Sequence, residues 1–107
     1  MTRLDKARAV INEADAQIAR YFELRMHAAE DVAAYKAENG LPIFDGAREQ
    51  EVIEKNLAKI SDHKLKPYYK DMLIQLMRIS KEYQNAIMQQ TACGNTADEN
   101  GCEKEEN

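Results

Sequence analysis

Apolar residues recur every three to four positions from the start of the chain: Leu4, Ala7, Ile11, Ala14, Ile18, Tyr21, then Ala28, Val32 and Tyr35. That is the spacing of one face of an α-helix, and it predicts a single helix reaching about Glu38. "NGLP" ends it, because Asn39 and Gly40 suit a C-terminal cap and Pro42 cannot continue the hydrogen-bond ladder. At 1.5 Å per residue the helix is roughly 50 Å long, whereas a compact domain of ~100 residues has a radius of gyration of about 13 Å. The stripe therefore overhangs any core its own chain can build. An intertwined helical homodimer, in which two long helices cover each other, is the expected solution.

After "LPIFDG" a shorter helix is predicted from about Ala47 to Ile60, with Asp45 placed to cap it and Val52, Ile53, Leu57 and Ile60 facing inward. The polar connection "SDHKLK" follows. Pro67 then suits the first turn of a third, medium-length helix whose seam reads Tyr69, Leu73, Leu76, Ser80, Tyr83 and Ile87. No strand pattern, glycine-rich phosphate loop or internal repeat occurs. The fold class is all-α with three helices per chain, one long, one short and one medium, in a domain covering residues 1–90. Residues 91–107 lack a large apolar side chain and read as a polar, disordered tail.

Charge changes this picture little. The formal charge of −4 over 107 residues arises in the tail, which holds five acids against Lys104. Without it, 14 acids face 14 bases, so no overall field attracts nucleic acid or a membrane surface, and an anion has to be captured by a local cluster. No segment has the roughly 18 apolar residues of a membrane span, and the N-terminus lacks the apolar run of a signal peptide, so a cytoplasmic protein is expected. Cys93 and Cys102 both lie in the tail and read as reduced and incidental.

Two polar interruptions of the seams carry the candidate chemistry. The step between Tyr21 and Ala28 falls on Arg25, where a guanidinium is costly unless an anion or polar partner meets it. Lys36 lies eleven residues further on, within ~20° of the same helix face and about 16 Å along the axis, so the two cations can hold a small dianion between them. Arg8 is about 25 Å before Arg25 and rotated by roughly 100°, so only the Arg8 of an antiparallel partner can reach the same ligand. In the third helix the interruption is Ser80, with Gln84 one turn beyond. Each residue has an ordinary structural explanation when taken singly: a solvated surface for Arg8, Arg48 and Glu49, a helix C-terminus for Lys36, a back-bonded hydroxyl for Ser80. Their joint arrangement favours a site.

Arg8, Arg25 and Lys36, then "GLPIFDGARE" with Asp45, Arg48 and Glu49, then "ISKEYQ" with Ser80 and Gln84, resemble the all-helical chorismate mutases. The likeness covers about residues 3 to 90. It implies an intertwined homodimer with two shared sites that rearranges chorismate to prephenate in phenylalanine and tyrosine biosynthesis, with no cofactor and no metal. Carried over from the resemblance, Arg25 and the partner's Arg8 bind the substrate carboxylates with help from Ser80. Lys36 reaches a carboxylate and the ether oxygen, and Gln84 donates to that oxygen. Glu49, with the backbone near Asp45, takes the ring hydroxyl, while Arg48 orders the pocket and balances Glu49. Two departures from the family pattern are Gly46 and Ala47, which follow Asp45 without a bulky residue, and the tail.

Two other functions fit parts of the pattern. Isochorismate pyruvate-lyase uses a related site on the same scaffold, but Glu49 and "DGARE" argue against it. A non-catalytic helical dimer acting as an adaptor would use the polar seam residues to set register, yet it gives Arg8, which lies off the seam, no role.

Overall fold

The computed structural model describes residues 1–95, with side chains described as far as Gln89. Three α-helices follow in order, α1 (Arg3–Glu38), α2 (Gly46–Leu57) and α3 (Lys66–Asn95), and the described residues contain no strand. A single 3-10 turn, His63–Leu65, lies within the segment expected to be an irregular connection. It forms because Asp62 accepts a hydrogen bond from the Lys64 amide at 3.0 Å, and it leads directly into α3.

Local chemistry accounts for the helix ends. Thr2 and Asp5 form a reciprocal capping box at the start of α1, the Thr2 hydroxyl accepting from the Asp5 amide at 3.0 Å. At the other end Gly40 takes a left-handed φ of 64°, and the Asn39 side chain donates to the Tyr35 carbonyl at 2.8 Å. Asp45 caps α2 by accepting from the Arg48 amide at 3.1 Å. Helix α2 stops at Leu57, short of the expected Ile60, whose amide instead closes a turn onto the Leu57 carbonyl at 3.1 Å. Helix α3 includes Pro67 in its first turn as expected, but it continues past Gln90 to Asn95, because no proline or glycine interrupts it before Gly94. The boundary placed at residue 90 therefore falls within a helix. Residues 96–107, with Cys102, lie outside the described residues.

Helix α1 packs on α3, and α2 also packs on α3. The core is small: Ala29 and Ala33 of α1 and Leu73 and Met77 of α3 are the buried apolar residues, joined by Ser80 and Gln84. Ala29 and Ala33 lie one position beyond the predicted seam residues Ala28 and Val32, which are exposed and edge a cleft instead. Among the described residues, nothing buries the seam in the first part of α1. Every residue from Met1 to Leu24 is exposed, including Leu4, Ile11, Ile18 and Tyr21. The chain is correspondingly elongated, 59 × 33 × 18 Å, with a radius of gyration of 18.2 Å.

Leu73 is only 3% exposed. Truncation by Leu73→Ala is expected to lower the unfolding free energy by roughly 2–5 kcal/mol, the range for a leucine cavity in a packed core. Urea denaturation at fixed protein concentration measures this, and a loss below about 1 kcal/mol would place Leu73 outside the core.

Candidate active site

One cleft of about 280 Å³ opens where α1, α2 and α3 meet. Helix α1 contributes Arg25, Ala28, Ala29, Val32 and Lys36, and the connection after it contributes Ile43 and Asp45. Helix α2 contributes Arg48, Glu49 and Val52, and α3 contributes Met77, Ser80, Lys81 and Gln84. Seven of the eight candidate residues read from the sequence thus converge on one cavity. Arg8, exposed in the first half of α1, is not among its lining residues.

The polar interruptions of the two seams meet each other. The Arg25 guanidinium donates to Ser80 Oγ at 2.7 Å, and the Ser80 hydroxyl donates weakly to Met26 Sδ at 3.7 Å. This explains Ser80 better than back-bonding to its own helix. Burial, and then the nearby positive charge of Arg48, push the Arg25 guanidinium below its ordinary pKa. Both causes favour an anionic ligand, which would relieve the repulsion between the two cations. Gln84, buried at 7% exposure, donates its amide to the Ala29 carbonyl at 3.0 Å. A primary amide carries two N–H groups, so a second donor remains for a ligand. Lys36 donates to the Ile43 carbonyl at 2.9 Å, which ties the end of α1 to the connection crossing the cleft.

The pairing of Arg48 differs from expectation. The Arg48 side chain donates to Glu51 at 2.8 Å along the exposed face of α2, and this contact, more than the charge of Lys55, holds the Glu51 carboxyl below its ordinary range. Glu49 is balanced by Lys81, whose Nζ lies 2.9 Å from Glu49 Oε2. The reason is geometric. Adjacent positions on a helix point about 100° apart, so Arg48 and Glu49 diverge, whereas Arg48 and Glu51 are one turn apart. Lys81 is the charged cleft-lining residue that sequence reading missed. Its position was legible, since it lies three residues before Gln84 and so on the same helix face.

A second contact clamps the two long helices beside the cleft: the Tyr83 hydroxyl donates to Glu30 Oε2. Among the described residues, no three His, Cys, Asp or Glu side chains converge as a metal site, and no helix is long and apolar enough to cross a membrane.

Fold and cleft together define a class, an all-helical protein with a cation-rich pocket suited to a small dianion and built from all three helices of the chain. Comparison by sequence family gives it a chemical identity. Chorismate mutase type II matches residues 7–85, and the chain belongs to that family, an enzyme family of isomerases. No curated protein and no solved structure matches the chain.

The Tyr83–Glu30 hydrogen bond, followed by burial, raises the Tyr83 phenol above its ordinary value of 10.0. A raised folded-state pKa means that the neutral phenol is favoured by folding, so its contribution is complete below about pH 10 and is lost as the pH rises through the folded value. The stability difference between wild type and Tyr83→Phe is therefore expected to be constant from pH 7 to 9 and to shrink above pH 10. Denaturant titrations at pH 8 and pH 11 compare the two, and a difference that grows with pH would contradict the assigned donor.

Proposed function

We propose that the protein converts chorismate to prephenate by a Claisen rearrangement, in the supply of phenylalanine and tyrosine, as an intertwined homodimer with two shared sites. The observation that carries this reading is the convergence of Arg25, Lys36, Asp45, Arg48, Glu49, Ser80 and Gln84 on one cleft. The rearrangement is unimolecular and uses no nucleophile, metal or proton transfer. It needs the substrate held in a compact conformer and charge stabilisation at the breaking ether bond. In this reading Arg25, oriented by Ser80, takes one carboxylate. Lys36 serves a carboxylate and the ether oxygen, and the free N–H of Gln84 donates to that oxygen. Glu49 and the backbone near Asp45 accept the ring hydroxyl, and Arg48 adds positive charge at the mouth. The cytoplasmic setting belongs to this reading and rests on the sequence alone.

The dimer is supported by what the single chain leaves uncovered. The exposed stripe Leu4, Ile11, Ile18 and Tyr21 leads into an apolar groove of about 460 Å³ lined by Ile18, Tyr21, Phe22, Met72, Leu76 and Ile79 among others. A second long helix laid antiparallel along this face would cover both and bring its Arg8 beside the middle of the first. That supplies the one candidate residue absent from the cleft of the single chain.

Replacing Lys36 with Ala is expected to lower kcat about 10²- to 10³-fold, the usual cost of losing a donor to a developing oxyanion. Steady-state kinetics that showed a change in KM alone would make Lys36 a ground-state binding group.

The decisive experiment follows chorismate absorbance and product identity for wild type, Arg8→Ala, Arg25→Ala and the two variants refolded together. Turnover to prephenate by the wild type, nearly inactive single variants and partial recovery in the mixture are expected, because mixed dimers carry both lesions in one pocket and leave the other intact. Activity without recovery would remove Arg8 from the shared site. Release of pyruvate and salicylate from isochorismate, assayed in parallel, with no prephenate from chorismate would make the protein a lyase, and absence of turnover of both would favour the adaptor.

A further inference from the structure

Lys81 is a cation of the cleft to which the functional reading above gives no task. Its ammonium group lies between two others: Glu49 Oε2 at 2.9 Å and the Phe44 ring, 4.9 Å from Nζ to the centroid. The Phe44 ring is itself packed over Gly46, where an added Cβ would lie 3.2 Å from the ring. Lys81 thereby connects α3 to the connection before α2 and to the first turn of α2, the two segments that bring Asp45 and Glu49 to the cleft. The Lys81–Glu49 pair is also unlike the other ion pairs among the described residues. Those join residues three or four apart on one helix with side chains at least half exposed, whereas this pair joins two helices with side chains 31% and 26% exposed. Partial burial makes each member depend on the other, since an unpaired charge at such a place is costly.

Charge balance gives the pair its functional meaning. The cations lining the cleft are Arg25, Lys36, Arg48 and Lys81, and the anions are Asp45 and Glu49. Two of these cations are ion-paired, Lys81 with Glu49 and Arg48 with Glu51, which leaves Arg25 and Lys36 as the cleft cations without an ion pair among the described residues, to face a dianion. Without Lys81 the Glu49 carboxylate would face an incoming dianion with no cation to balance it, and its side chain would lose the contact that fixes its rotamer. With Lys81 on Oε2, the other carboxylate oxygen remains to accept a hydroxyl.

We propose that Lys81 is the positioning residue of Glu49: it holds and neutralises this carboxylate as the acceptor for the substrate's ring hydroxyl, and so sets the selectivity of the cleft for a hydroxylated cyclohexadiene dianion. The inference rests on the chorismate reading and adds to it the residue that governs recognition at the hydroxyl end.

The test compares wild type, Lys81→Met and Lys81→Arg with two substrates, chorismate and a chorismate analogue lacking the ring hydroxyl. Wild type is expected to favour chorismate. Lys81→Met should reduce the ratio of the two kcat/KM values by about ten-fold, mainly through a higher KM for chorismate, as for loss of a charged hydrogen bond made in both ground and transition states. Lys81→Arg should restore the ratio, because a guanidinium keeps the charge within reach of Glu49 and the ring of Phe44.

Three results overturn the inference. A lower melting temperature with an unchanged ratio would make Lys81 a purely structural tie. An equal loss on both substrates would mean that Lys81 binds a carboxylate itself. A wild type that turns over neither substrate would remove the chorismate reading and this inference with it, an outcome distinct from an active wild type with an unaltered ratio. Should Lys81→Met lose its helical circular dichroism, Lys81→Gln provides the same charge removal with a polar side chain.

Discussion

The close approach of α1 and α3 at Ala29 and Ala33 is the constraint on which the cleft depends. These residues are 8% and 1% exposed, and a side chain of one carbon is what allows the two helices to meet there. At that separation Arg25 reaches Ser80 and Gln84 reaches the Ala29 carbonyl. A bulky residue at Ala33 would push α3 away and strand a guanidinium and an amide without partners, each at a substantial desolvation cost. As built, no buried side-chain nitrogen or oxygen among the described residues lacks a hydrogen-bond partner. A core with so few buried apolar residues can hold these polar groups because every one is satisfied.

The same packing arranges charge. Arg25 is held partly buried with Arg48 as a neighbour, and both effects act against its positive charge, a cost that a bound anion would offset. Lys36 and Gln84 are anchored by backbone carbonyls instead of acids, which fixes their positions without cancelling the charge of Lys36. Glu49 is the carboxylate paired across helices, with Lys81, while Arg48 turns outward to Glu51. In the proposed reading, these groups would receive a ligand bearing two carboxylates and a hydroxyl and hold it for a unimolecular rearrangement.

The long first helix has consequences beyond the cleft. Its capping box and left-handed terminus define a helix of 36 residues, while the described residues bury only its second half. The exposed stripe continues in register with Ala28 and Val32 at the cleft, one position from the buried Ala29 and Ala33, so one helix carries a packed apolar face and another that the described residues leave bare. Arg8 lies on this uncovered half, outside the lining of the cleft in the single chain.

Much of this was legible in the residues. Periodicity, the Asp, Asn and Gly caps and the two prolines define three helices, because these are local effects decided within one or two turns. The two polar breaks in otherwise apolar seams marked Arg25 and Ser80, because a buried polar group requires a partner wherever that partner comes from. Tertiary structure alone decided that each is the partner of the other. It also moved the α1 packing face by one residue, to Ala29 and Ala33, and left Ala28 and Val32 at the cleft, since helix periodicity gives a face only to within about 100° and the neighbouring helix selects the contact line. The pairing of Glu49 with Lys81 in place of Arg48 was settled in the same way. Adjacent residues on a helix diverge, and only the packing of α2 against α3 brings a lysine thirty-two positions away within 2.9 Å.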